Sequence, residues 1–209
     1  MQQRYIYRKM KLPHWHYFLL LEDELDKISR FIEINEENYN VYSIELTKLL
    51  LSICSEVDVV AKLLCKEVDI ILYDKIKGSG NANISTYRTV IHTIFPEFYK
   101  TNVAIPYYNL SFAPWNSFKE NKSPAWWNEY NDVKHERNLN FKKANLENIL
   151  NSMSGLMILL VYLYGRDSVI ALDQPNDPKL FKIEETYYRY QGSVWAGSQL
   201  GVPKVFLNS

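Results

Sequence analysis

Apolar residues recur along this chain at alternating intervals of three and four. In residues 13–35, Phe18, Leu21, Leu25, Ile28 and Ile32 share one helical face, and Glu22, Asp23, Glu24, Asp26 and Lys27 fill the other positions. Pro13 suits the start of that helix, where a missing N–H costs nothing. The polar run 36–40 breaks the pattern. Residues 42–74 carry the strongest stripe, Leu46, Leu50, Ile53, Val57, Val60 and Leu64, with Ser43 placed to cap it.

The loop 77–83 (KGSGNAN) separates this helix from a third over 84–98, with Tyr87, Val90, Ile91, Ile94 and Phe95 on one side. Pro96 disfavours a regular last turn there. Residues 101–122 are irregular, with Pro106, Pro114 and many aromatics. So long a connection is expected to pack on the helices or to cover a site. Ser123 and Pro124 read as cap and first residue of a helix running to about Arg137. A last helix spans 144–164, with a wide apolar face from Leu146 to Val161 and Gly165 as its stop. Beyond Gly165 the chain is turn-rich, and 181–190 and 193–205 are β-prone or irregular. The expected fold is therefore all-α: an antiparallel bundle of about five helices over 1–165, with a small β or coil appendage over 166–209.

Composition narrows the function classes. The chain has 209 residues, enough for one domain with an appendage, and 47% of them are apolar. Twenty-four basic residues balance 24 acidic ones, so phosphate neutralisation along an extended duplex loses support, while a local basic site stays open. Cys54 and Cys65 fall in one helix about 16 Å apart, out of disulfide reach. Two unpaired thiols suit a reducing compartment. The apolar run 156–164 is too short for a bilayer, and the N-terminal stretch 17–21 is too short for a signal peptide, so a cytoplasmic protein without membrane contact is expected. There is no Walker A loop, GxGxxG, HExxH or GxSxG, and no cysteine–histidine spacing for zinc. No cofactor or metal is expected.

Chemistry concentrates in residues 126–138, WWNEYNDVKHERN. On a helix, Asn131, Lys134, His135 and Asn138 line up, with Asn128 and Trp127 a turn earlier. An imidazole passes a proton near neutral pH, and a fixed cation such as Lys134 or Arg137 stabilises charge on a phosphate. An amide orients the imidazole or binds a phosphate oxygen. Such a set is sufficient for RNA cleavage in which the 2′-hydroxyl attacks. A polar helix face of mixed charge is more often simply solvated.

Elsewhere, Glu56 and Asp58 lie mid-helix, where acids are more often surface charges or core-edge ion pairs. His14 and His16, two apart, face different ways, so a metal pair is not expected; Arg88 and His92 form a structural i,i+4 pair. Tyr107, Tyr108, Phe112, Trp115, Trp126 and Trp127 can stack on bases, though such clusters are usually core or interface.

The run YNDVKHERN, followed by a long apolar helix, resembles the HEPN superfamily over about residues 14–165. That resemblance implies an all-α bundle, commonly a homodimer. It also implies a metal-independent ribonuclease of a toxin–antitoxin or phage-defence system, with an acid from a neighbouring helix reaching the site. HEPN enzymes carry an Arg, a spacer of four to six residues, then His. Here Asn128, Glu129 and Tyr130 occupy the positions where that Arg would stand before His135, and Arg137 follows it.

Two readings result. In one, His135, Lys134, Asn131 and Arg137 are catalytic, and Asn128, Asn138 and Trp127 bind an RNA substrate. In the other, the chain is a non-catalytic HEPN-like module for dimerisation or for docking a protein partner from the same operon. A small-molecule bundle with an aromatic pocket is a third possibility, with no ligand named by the sequence.

Overall fold

The central stripe becomes the centre of the molecule. In the computed structural model, which describes residues 12–165 and 178–183, Leu46, Leu50, Ile53, Val57, Val60 and Leu64 are all at most 1% exposed. They belong to α2 (Ile44–Lys77) and pack chiefly against α5 (Leu146–Tyr164). Around this pair lie α1 (Pro13–Ile28), α3 (Ile84–Ile94) and α4 (Ala125–Asn140). The described residues thus form a mostly helical fold of five α-helices with a small sheet.

The ends of the helices follow their caps. The Ser43 hydroxyl accepts from the Leu46 amide at 3.1 Å, as expected for the start of α2. α2 continues to Lys77 but bends at Asp69, whose backbone leaves the helical region and whose carboxylate caps the restarted turn at the Leu72 amide. Asn83 opens α3 in a capping box with Thr86, and α3 stops at Ile94, just before Pro96. The start of α4 differs from expectation. Ser123 makes no cap; Pro124 is the N-cap, and its carbonyl accepts from the Trp127 and Asn128 amides. α1 ends at Ile28 rather than near residue 35. Ser29 turns its hydroxyl back to the Asp26 carbonyl, Phe31 is left 87% exposed, and Asn35 caps a separate 3₁₀ turn.

The irregular stretch 101–122 does pack on the helices, and it holds two short strands, β1 (Val103–Ile105) and β2 (Leu110–Phe112). β1 pairs antiparallel with β2 and, on its other side, with β3 (Lys182–Ile183), giving the order β2-β1-β3. The described part of the expected small β or coil appendage, 178–183, thus packs on the helical domain and contributes β3 to the sheet. The expectations for 193–205 and for the rest of 181–190 fall outside the described residues.

Glu22 is a further departure. Its place among charged neighbours put it on the solvent side, yet it is 1% exposed. Its carboxylate accepts from three consecutive amides, Lys179 (2.9 Å), Leu180 (2.9 Å) and Phe181 (3.1 Å). Lys179 also pairs with Asp23. Burial raises the Glu22 pKa above its ordinary value, against the pull of these three donors.

Among the described helices, Leu146–Tyr164 alone is long and apolar enough to cross a bilayer, and its most apolar window is 83% buried inside the protein. Beyond its first turns, where Glu147 is exposed, it is apolar and buried because helices and sheet pack against it. Gly155 sits in its middle, against the Trp115 and Trp126 indoles, whose N–H groups donate to the Gly155 and Pro114 carbonyls.

Candidate functional site

The expected stripe on α4 depends on an unbroken helix, and α4 is broken. Glu136 has φ −137° and ψ 58°, so the turn after His135 leaves the helical path. The Asn140 amide stabilises the bend by donating to the Asp132 and Glu136 carbonyls, at 3.3 and 3.1 Å. Asp132 takes a further bond from Lys143 at 2.7 Å, drawing the 3₁₀ turn Phe141–Lys143 back along α4.

This bend distributes the seven candidate residues. Trp127 is buried against Trp126 and Tyr130, a core aromatic. The Asn131 amide is engaged with the Trp127 carbonyl of its own helix at 2.9 Å. Lys134 lies over the Tyr130 ring, 5.5 Å from its centre. His135 and Asn128 are exposed. Arg137 and Asn138, past the bend, face a different surface, toward α2. Arg137 and Asn138 line one trough, and His135 is not among its lining residues.

The acids of α2 are also assigned. Glu56 Oε1 lies 2.6 Å from His14 Nδ1, at the edge of the core. Asp58 accepts from the Tyr87 hydroxyl at 2.8 Å and from Lys62 at 3.2 Å. Asp58 is nevertheless close enough to α4 to act electrostatically on Tyr130, as Lys134 does. Burial raises the Tyr130 pKa first, Lys134 opposes the rise, and Asp58 adds to it. Lys134 and Asp58 thus act with opposite sign on the same buried phenol.

Arg88 and His92 do not form a site. Arg88 Nε is buried without a hydrogen-bond partner, and His92 is exposed beside the Tyr99 ring. The aromatics of 101–127 are core: Trp115, Phe118 and Trp126 form a continuous buried series with Phe98 and Trp127. Tyr108 is half-buried against the core, and Tyr107 is 85% exposed where β1 turns into β2. No group of three or more His, Cys, Asp or Glu able to hold a metal occurs among the described residues.

The feature that sequence reasoning missed is a trough of about 420 Å³ between the start of α2 and the turn after the α4 bend. Ile44, Leu51 and Phe141 line it with apolar surface; Lys48, Arg137 and Asn138 supply the polar groups. The bridge between Tyr42 and Asn145, with the Leu146 amide donating to the Val41 carbonyl at 3.0 Å, fixes the two walls side by side. The one hint in the sequence was Ile44 directly after the cap Ser43, an apolar residue off the main stripe. It is 63% exposed.

No protein-family model, no curated protein and no solved structure matches the chain.

Proposed function

We propose that this protein is a cytosolic helical docking module of HEPN-like plan, working as a homodimer or with a protein partner rather than as a ribonuclease. The observation that carries this reading is the bend at Glu136. General acid–base catalysis on a phosphodiester requires imidazole and cation within reach of one reacting group. His135 is exposed on one side of the bend and Arg137 lies on the other beside α2, while Lys134, on His135's side, is drawn over the Tyr130 ring. Asn131 is spent on its own helix, and Glu56 is held by His14. What the chain does present is an open, apolar trough with two cations, the form of a recognition surface. The buried, unpaired Cys54 and Cys65 support a reducing compartment.

The test is incubation of the purified protein with labelled tRNA and total RNA in EDTA, beside His135→Ala. The docking reading expects intact RNA from both. Cleavage by the wild type that is lost in His135→Ala would overturn it and place His135 in a catalytic centre. The exposed Lys134 next to His135, both before the bend in α4, favours that second reading, with Lys134 as its cation.

A further inference from the structure

We propose that the trough between α2 and the turn after α4 takes an acidic amphipathic helix from a partner protein, an inference that rests on the docking reading above. Its apolar surface extends past the trough itself. Tyr42 is 40% exposed and sets its ring edge-on to Phe141 at 5.3 Å, and Ile44 is 63% exposed. Isolated exposed apolar residues are ordinary, but several grouped about one concavity mark an interface. A small-molecule site encloses most of its ligand, and this trough is open along one side, so an elongated partner fits it better.

The charge around it selects the partner's sign. Arg137 makes no ion pair among the described residues, and Lys142 is exposed beside Phe141. Lys48 contacts Glu45 at 2.8 Å, but both are about two-thirds exposed, so that pair is weak and easily exchanged. Glu45 is the acid on this wall; Asp132 is already held by Lys143, and Glu136, next to Arg137 in the chain, is exposed at the bend, so Arg137, Lys48 and Lys142 leave the rim positive on balance. A positive rim over an apolar floor matches a helix with Leu, Ile or Phe at i, i+3, i+4 and i+7, flanked by Asp or Glu. The guanidinium suits a carboxylate in two-pronged contact.

The probe is a fluorescein-labelled synthetic 18-residue helix with a leucine stripe flanked by glutamates. It is compared with a twin carrying Lys for Glu and with a scrambled peptide of the same composition. Fluorescence anisotropy on the full chain is expected to show the acidic helix binding at least tenfold more tightly than either control. Amide shifts in the ¹⁵N spectrum should centre on 44–51 and 137–141. Arg137→Glu with Lys48→Glu should weaken binding at least tenfold, and Ile44→Asp should do the same. These positions are exposed or at the rim, so helix content by circular dichroism stays unchanged. Equal binding of the acidic and lysine peptides, shifts centred elsewhere, or no binding of the acidic helix at all would overturn the proposal. The RNA experiment decides the docking reading independently: intact RNA with an unbound peptide discards the ligand chemistry and leaves the module.

Discussion

Replacing Glu22 by Ala asks what holds the segment 178–183 against the helices. Burying Leu180, Phe181 and Ile183, each at most 8% exposed, is worth roughly 5–9 kcal/mol together. Fixing the backbone of this short segment costs about 6–12 kcal/mol in conformational entropy. The two nearly cancel, so the three hydrogen bonds to the Glu22 carboxylate, each worth about 1.5–3 kcal/mol before desolvation is subtracted, decide whether it stays docked. In Glu22→Ala the amides of 179–181 lose their acceptor. The segment can leave rather than remain with buried orphan donors, and this caps the loss at about 2–4 kcal/mol. Urea unfolding should show that loss. Trypsin should cut at Lys179 or Lys182 at least tenfold faster, with helix content unchanged.

The pH dependence adds a second, sharper readout. The Glu22 pKa in the folded protein is raised from 4.5, with burial the largest cause. Between that ordinary value and the raised one, the folded state holds a proton that the unfolded state has lost. Stability from this group therefore falls as pH rises through the window and is flat above it. Glu22→Gln, which cannot ionise, should abolish that fall. Wild-type and Ala proteins with the same tryptic rate, or a pH slope retained in Glu22→Gln, would refute the assignment of Glu22 as the anchor.

Gly155→Ala puts a Cβ 3.1 Å from Trp126 and 3.4 Å from Trp115, two indoles held by hydrogen bonds. The strain should cost about 1–3 kcal/mol, read as a lowered thermal midpoint. Tyr87→Phe removes the donor to Asp58 and should cost about 1 kcal/mol by chemical denaturation, since Lys62 and solvent still serve the carboxylate. Burial pushes the Cys65 thiol up to about 12 and the Cys54 thiol well above its usual value. Both should resist a thiol-labelling reagent at pH 8 in the folded protein and react only on unfolding; fast native labelling would contradict their burial.

The long elements were legible because burial repeats with the helical period over many residues. Every position of the Leu46–Leu64 stripe is core. β1 and β2 were not legible, because three residues give too few alternations to show a period of two, while β3 falls in the stretch 181–190 read as β-prone or irregular, though its pairing with the distant β1 was not readable. Glu22 was misplaced for the same reason: what buries it is a segment more than 150 residues later. At the candidate site, residue types were readable and their grouping was not. Asn131, Lys134 and His135 share a continuous helix, but the set was extended across Glu136 to Asn138 as though the turn persisted. The cause of the bend, an Asn140 side chain serving main-chain carbonyls, has no periodic signature. The trough is formed by residues about 90 positions apart, each ordinary in its own segment.

The indoles clasped around Gly155 also make the protein its own spectroscopic gauge. Trp115 and Trp126 stand 5.1 Å apart at 74°, and Trp126 and Trp127 5.9 Å apart at 88°. Rings so close and so steeply inclined couple their transitions, and the Trp115–Trp126 coupling is lost once the turn that carries Trp115 separates from α4. Near-ultraviolet dichroism of the unlabelled chain therefore follows the closure of one defined seam, while the amide bands follow helix content alone.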